Sequence, residues 1–214
     1  MYKKKPFFIV FEGIEGCGKS YQSKKLFNKL KIIFKNTILT REPGGTKSAE
    51  LIRNLILKDY FEKNIKEKFH KYTDTLLYLA ARNEHIQNKI KPELSKKKII
   101  ICDRFVDSTI AYQVYGKKVD KKLIDFIHKH ILHGIKPDLT IILKVSSKSA
   151  SKRLKKRKSK NRYDNFSKQF YIQAQKSFLK IAKNKKKYLI FDSSLNTADL
   201  ENIIYNKVLS ELKK

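Results

Sequence analysis

An α/β protein with a parallel sheet covered by helices on both faces is what this sequence predicts, and three observations carry the prediction. Five short apolar, β-rich runs recur along the chain, and longer amphipathic stretches separate them. The first run leads straight into a glycine-rich turn and then a helical pattern. The 214 residues suit one domain, spanning 1–214, with a substantial core.

The elements follow in order. Residues 7–11 form the first apolar run, and 19–34 carry Leu26, Phe27 and Leu30 at helical spacing. Residues 37–39 read as the second strand, 75–90 as an amphipathic helix and 99–102 as the third strand. A helix over 121–132, a strand at 139–143, a strand at 188–191 and a last helix over 197–212 complete the alternation. Strands alternating with helices demand right-handed crossovers, hence parallel pairing. Residues 58–71 and 157–165 lack a strong apolar pattern and read as surface segments.

Composition excludes several classes. Hydrophobic residues make up 41% of the chain, but no run is long enough to span a membrane. The basic start through Lys3, Lys4 and Lys5 resembles a signal peptide until Glu12 interrupts the apolar run, and no small-residue cleavage site follows. A cytoplasmic location is expected. Cys17 and Cys102 have no partner spacing for a disulfide framework or a zinc site, so both are expected as free thiols. The formal charge of +30 invites a nucleic-acid reading, but it is mostly Lys, spread through nearly every predicted helix. No nucleic-acid-reading motif accompanies it, so a nucleic-acid partner is not expected. His128, His130 and His133 cluster without an acidic or Cys companion and read as surface histidines.

Gly13-Ile14-Glu15-Gly16-Cys17-Gly18-Lys19-Ser20 matches the phosphate-binding pattern G-x-x-x-x-G-K-[ST], with the strand before and the helix after that the chemistry needs. Such a loop curls its N–H groups toward phosphate oxygens while the following helix adds its positive end. Lys19 would lie against the β- and γ-phosphates, and Ser20 would ligate Mg²⁺. Cys17 fits as a small residue. The third strand ends in Asp103, a carboxylate placed to hold the metal's water shell. No [NT]-K-x-D guanine signature occurs, which favours ATP. From this loop alone, ATPases and small-molecule kinases both remain open.

Three further segments narrow the choice. Thr40-Arg41-Glu42-Pro43-Gly44-Gly45-Thr46, then Asp103-Arg104-Phe105 running on to Ser108-Thr109-Ile110-Ala111-Tyr112-Gln113, and Pro137-Asp138-Leu139-Thr140 together resemble bacterial thymidylate kinase. With the phosphate loop the resemblance covers the chain from Phe8 to about Phe191. It implies a five-stranded parallel sheet, a homodimer, ATP and dTMP as substrates with Mg²⁺, and a lid over ATP at about 153–165. By resemblance Tyr78, where the family usually has Phe, stacks on thymine, and Arg82, on the same helix face, donates to its O4. Thr109 and Gln113 match positions at the base edge, and Arg104, Arg53 and Arg41 suit the dTMP phosphate. Glu42 belongs with the same loop, and Pro43 is expected in the cis form, bending it toward the deoxyribose.

The resemblance also separates lid-arginine from loop-arginine types. The phosphate loop offers Glu15 and no arginine, whereas the lid region offers Arg153, Arg157 and Arg162. The expectation is a lid-arginine enzyme in which Arg153 and Arg162, with Lys19 and Arg104, neutralise the migrating phosphoryl group while Glu15 faces the acceptor or a metal-bound water. The chain departs from the family at Asn161 and Asp164 in the lid, at Val114 where Gly follows Ala-Tyr-Gln, and at Lys144 after the fourth strand. Another nucleotide or deoxynucleoside kinase, or a basic ATPase acting on nucleic acid, stands as the alternative.

Overall fold

The computed structural model describes residues 5–58, 68–156, 167–194 and 197–214. Most of the 58–71 segment and all of the 157–165 segment lie outside them. The chain runs β1 (Phe7–Glu12), α1 (Lys19–Ile33), β2 (Thr37–Arg41), α2 (Lys47–Leu57) and α3 (Lys71–His85), whose end widens into a π-helical turn at Ile86–Ile90 before α4 (Lys91–Ser95). Next come β3 (Ile99–Asp103), α5 (Val106–Thr109), a second π-helical stretch (Ile110–Gly116), α6 (Lys121–Ile131) and β4 (Leu139–Lys144). The last elements are α7 (Ser147–Lys155), α8 (Lys168–Ala182), β5 (Tyr188–Asp192) and α9 (Thr197–Leu212).

The five strands form one parallel sheet in the order β2-β3-β1-β4-β5. Every residue of β1 is buried, because the sheet is covered on both faces. The pleat sends alternate side chains to opposite layers: Phe7, Ile9 and Phe11 pack with Leu26, Leu30, Phe178 and Ile204, while Phe8 and Val10 pack with Ile86, Ile90 and Phe105. Truncating Ile101, fully buried in the first layer, to Ala would cost about 2–5 kcal/mol without touching a polar group.

Two expectations change here. The helix expected over 75–90 starts at Lys71 and gives way to a π turn, which keeps both Ile86 and Ile90 against the sheet beside Phe8 and Val10. The histidines do not form one surface cluster. His128 is buried, and His133 lies beyond α6 with φ 48° and contacts Gln87. Cys17 and Cys102 are buried free thiols. No helix among the described residues is long and apolar enough to cross a membrane.

Candidate active site

The ends of β1 and β3 carry the site. The turn from β1 to α1 curls because Gly13 and Gly16 adopt φ 139° and 74°. A Cβ on Gly13 would fall 2.6 Å from the Leu143 carbonyl oxygen, and one on Gly16 would fall 2.7 Å from that of Ala150. Thr46, Asp120, Ser146 and Ser167 cap α2, α6, α7 and α8 with their side chains, but α1 has no side-chain cap and no acid in its first turn. Its first N–H groups and positive dipole end therefore stay available to an anion. Lys19 folds back onto the loop, its Nζ donating to the Ile14 carbonyl at 2.8 Å and lying 3.6 Å from Cys17 Sγ.

Across the sheet, Ser20 Oγ donates to Asp103 Oδ2. The other Asp103 oxygen, Oδ1, is buried and has no hydrogen-bond partner among the described residues. Next to it, Arg104 holds φ 74°, a conformation costly for a side-chain-bearing residue, and its backbone N–H donates to the Phe11 carbonyl. Its guanidinium donates to Gly13 O, Ser108 Oγ and Glu15 Oε1, the last at 2.7 Å. Glu15 also accepts from the Tyr112 hydroxyl at 2.6 Å. Burial works to raise the Glu15 carboxyl, but Arg104, Lys19 and Tyr112 together hold it below the ordinary carboxylate range. Burial likewise opposes the charge on Arg104, and Glu15, first among several anionic partners, more than restores it.

The second wall is built from the loop after β2 and from α3. The Glu42–Pro43 peptide bond is cis. Arg41 makes two bonds to the Glu50 carboxylate at 2.9 and 3.0 Å, and Arg53 donates to the Pro43 carbonyl at 2.6 Å. Burial, then the neighbouring Arg41, lowers the Arg53 pKa. Glu42 is buried against Arg82 at 2.8 Å and His85 at 3.1 Å, and those partners overcome burial to keep its pKa low.

One cleft of about 500 Å³ joins the two walls. Glu15, Gly16, Gly18, Lys19, Ser20, Asp103 and Arg104 line one part; Arg41, Glu42, Pro43, Arg53, Tyr78, Arg82, Thr109 and Gln113 line the other. Arg153 reaches in from α7, donating to Gly16 O at 3.2 Å and to the Ser193 carbonyl at 2.7 Å. Gly13, Ile14 and Cys17 belong to the loop but not to the cleft wall, and Arg162 lies outside the described residues. Gln113 is buried with its Nε2 lacking a partner among the described residues. Sequence reasoning missed Tyr112, His85 and His128, whose roles appear only when distant elements meet.

The arrangement can seat a polyphosphate on the α1 end and a second, ring-bearing phosphate ester against Arg53, Arg104 and Tyr78. Comparisons with known proteins point to one family. The thymidylate kinase family model matches residues 11–204. A thymidylate kinase of Sulfurihydrogenibium sp. is 37% identical over 203 residues, covering 94% of this chain and 96% of that protein. One from Wolbachia sp. subsp. Brugia malayi is 41% identical over 94% of this chain and 95% of its own length. The crystal structure of thymidylate kinase from Ehrlichia chaffeensis superposes with a TM-score of 0.74 at 34% identity, covering 97% of this chain and 99% of that one. With the family model spanning residues 11–204 and relatives 37% and 41% identical over 94% of the chain, this chain belongs to the thymidylate kinase family.

Proposed function

We propose that the chain transfers the γ-phosphoryl group of ATP to the phosphate of dTMP, giving dTDP and ADP and feeding dTTP supply for DNA synthesis. The observation that carries the reading is the Gln113 side-chain Nε2, which has no partner among the described residues and is buried on the wall of the cleft that also holds the phosphate loop. A buried donor without an acceptor is costly, and a base carbonyl satisfies it. Tyr78 offers a ring for stacking, while Thr109 and Arg82 add polar groups at the same wall. Arg104 and Arg53, with Arg41 beside them, suit the dTMP phosphate.

Transfer forms a bond from a dTMP phosphate oxygen to the γ-phosphorus and breaks the bond to the bridging oxygen, leaving ADP. The protein's task is to hold the two phosphates in line and neutralise charge that spreads during the exchange. Arg104 is preset for this by Glu15, Gly13 and Ser108, so little reorganisation is needed when substrate arrives. Lys19 leaves Ile14 O for the β- and γ-phosphates. The contacts of Arg153 to Gly16 and Ser193 support a role on the ATP side, steadying the loop that carries the phosphates. Arg162 is retained as the second lid cation. The orphaned Asp103 oxygen beside Ser20 fits a cation, so these two residues would hold Mg²⁺, which supplies further neutralisation of the β- and γ-oxygens.

Two copies are proposed to pair through the helical layer in which α3 packs against both α2 and α6. Leu51 and Leu55 on α2, Leu76 on α3 and Phe126 on α6 are exposed at 70%, 44%, 51% and 63%. A monomeric mass in light scattering at micromolar concentration would sink the pairing. By the location of its nucleotide substrates, the enzyme is placed in the cytoplasm, acting as one domain. The function is tested by incubating the protein with Mg·ATP and a panel of nucleoside monophosphates, nucleosides and DNA and following ADP release. ADP formed with dTMP well above the others is expected; release driven by DNA or by a nucleoside instead would overturn the reading.

A further inference from the structure

Arg82 is 3% exposed, and its guanidinium is held on several edges. Nε donates to Glu42 Oε2 at 2.8 Å, and one terminal nitrogen donates both to Thr109 Oγ1 at 2.6 Å and to His128 Nε2 at 2.8 Å. The other terminal nitrogen donates to the Phe105 carbonyl at 2.9 Å, and the Phe105 ring lies under the guanidinium, 5.5 Å from ring centroid to its central carbon. An arginine has five N–H donors, so these bonds leave one terminal hydrogen without a partner among the described residues, on a side chain that lines the cleft. His128 comes from α6, which contributes no residue to the cleft wall.

We propose that His128 is a positioning residue for base recognition, accepting an N–H of Arg82 at Nε2 so that the remaining Arg82 hydrogen points at the acceptor nucleotide. The inference rests on reading the cleft as the dTMP site. Only a neutral imidazole with its proton on Nδ1 can accept at Nε2, since the arginine cannot. The surroundings enforce that state: burial, then the charges of Arg82 and Lys121, push the His128 pKa down to about 3. Without the acceptor, the shared terminal nitrogen keeps only Thr109, and the guanidinium is held by three bonds instead of four, so its plane is fixed less sharply. A loss of aim should weaken dTMP capture more than phosphoryl transfer, because the reacting phosphates are held by other residues.

The test compares His128→Leu, which removes the acceptor, with His128→Gln, whose carbonyl oxygen can replace it. His128→Leu is expected to raise the KM for dTMP by about tenfold or more, with kcat and the KM for ATP within about threefold; His128→Gln should recover most of the loss. An unchanged dTMP KM in His128→Leu, equal damage in both variants, or equal weakening toward ATP and dTMP would overturn the role. The tautomer is read in the wild type by ¹⁵N NMR of the imidazole at neutral pH, which stays decisive even where a variant fails to fold. Nδ1–H with a bare Nε2 is expected, and Nε2–H or an imidazolium overturns the proposal. Arg82→Ala and a wild-type dTMP assay run in parallel separate the two failures. A wild type indifferent to dTMP, or Arg82→Ala with unchanged dTMP KM, removes the underlying site reading. An active wild type with an Arg82 effect but no His128 effect removes only this inference.

Discussion

The Ser20 hydroxyl donates to Asp103 Oδ2 across 2.5 Å, joining the first turn of α1 to the end of β3. The second Asp103 oxygen is buried and has no partner among the described residues. On the proposed function, a carboxylate left half satisfied beside the phosphate loop would seat a divalent cation and its water shell. Asp103→Asn keeps the shape and replaces one oxygen by a donor. Its Mg²⁺ dependence, followed by ADP release, should shift to higher concentration by about tenfold, with turnover partly recovered at high Mg²⁺. Chelation should abolish turnover in the wild type. An Asp103→Asn enzyme with the wild-type Mg²⁺ curve would remove Asp103 from the metal site.

Lys19→Ala removes the loop cation proposed to meet the transferring phosphoryl group. Among the described residues Lys19 bonds only within its own loop, to Ile14 O and near Cys17, so its loss should leave melting almost unchanged. Turnover should fall by about a hundredfold or more, the magnitude for losing one positioned charge partner. Near-normal turnover in a folded Lys19→Ala protein would contradict the loop assignment.

Much of this was legible in the sequence, and the exceptions have physical causes. The strands could be read because β1 and β3, buried on both faces, need unbroken apolar runs. Helix α2 was not read from the sequence: it is short, and Leu51 and Leu55 lie exposed beside its buried Ala49 and Ile56. The phosphate loop, Asp103, Arg104 and Gln113 sit in local motifs and were found. Tyr112, His85 and His128 act through partners 97, 43 and 46 residues away, and no local spacing announces such pairs. Both π turns were invisible for the same reason, since packing rather than propensity selects them.

Gln113 should decide which base is accepted. Its Nε2 has no protein acceptor among the described residues, so an apolar replacement removes the reading of the base without breaking an internal bond. Gln113→Leu is expected to raise the KM for dTMP by about tenfold to a hundredfold and to narrow the preference for dTMP over other pyrimidine monophosphates. Kinetics on a monophosphate panel checks this. A variant with undiminished selectivity would show that base recognition lies elsewhere.

Arg153 ties α7 to the phosphate loop and to the turn after β5, through Gly16 O and the Ser193 carbonyl. Its removal should loosen the ATP side of the cleft while leaving the opposite wall intact. Arg153→Ala is expected to lower kcat/KM for ATP by about tenfold to a hundredfold, with the dTMP KM held within about twofold. A dTMP KM that rose in step would move Arg153 to the acceptor site.

Glu12 ends β1 fully buried, accepting from the Phe105 N–H at 2.8 Å and from both the N–H and the hydroxyl of Ser108, the hydroxyl at 2.6 Å. Burial, then the nearby Asp107 charge, raises its pKa from 4.5 to about 8, against the pull of Arg104 and these hydrogen bonds. The sign of the linkage follows: between these two values the folded chain keeps a proton that the unfolded chain has released. Stability is then fully present below about pH 4.5, declines as pH rises and levels off above about pH 8. Glu12→Gln keeps an oxygen for the two N–H groups, and Ser108 can turn its hydroxyl to accept from the new amide, so the fold should persist. The variant has no carboxyl to titrate. Urea unfolding of both proteins across that window should show the wild type losing stability relative to Glu12→Gln as pH rises. Parallel curves would mean that Glu12 is charged throughout, with the three donors and Arg104 prevailing over burial.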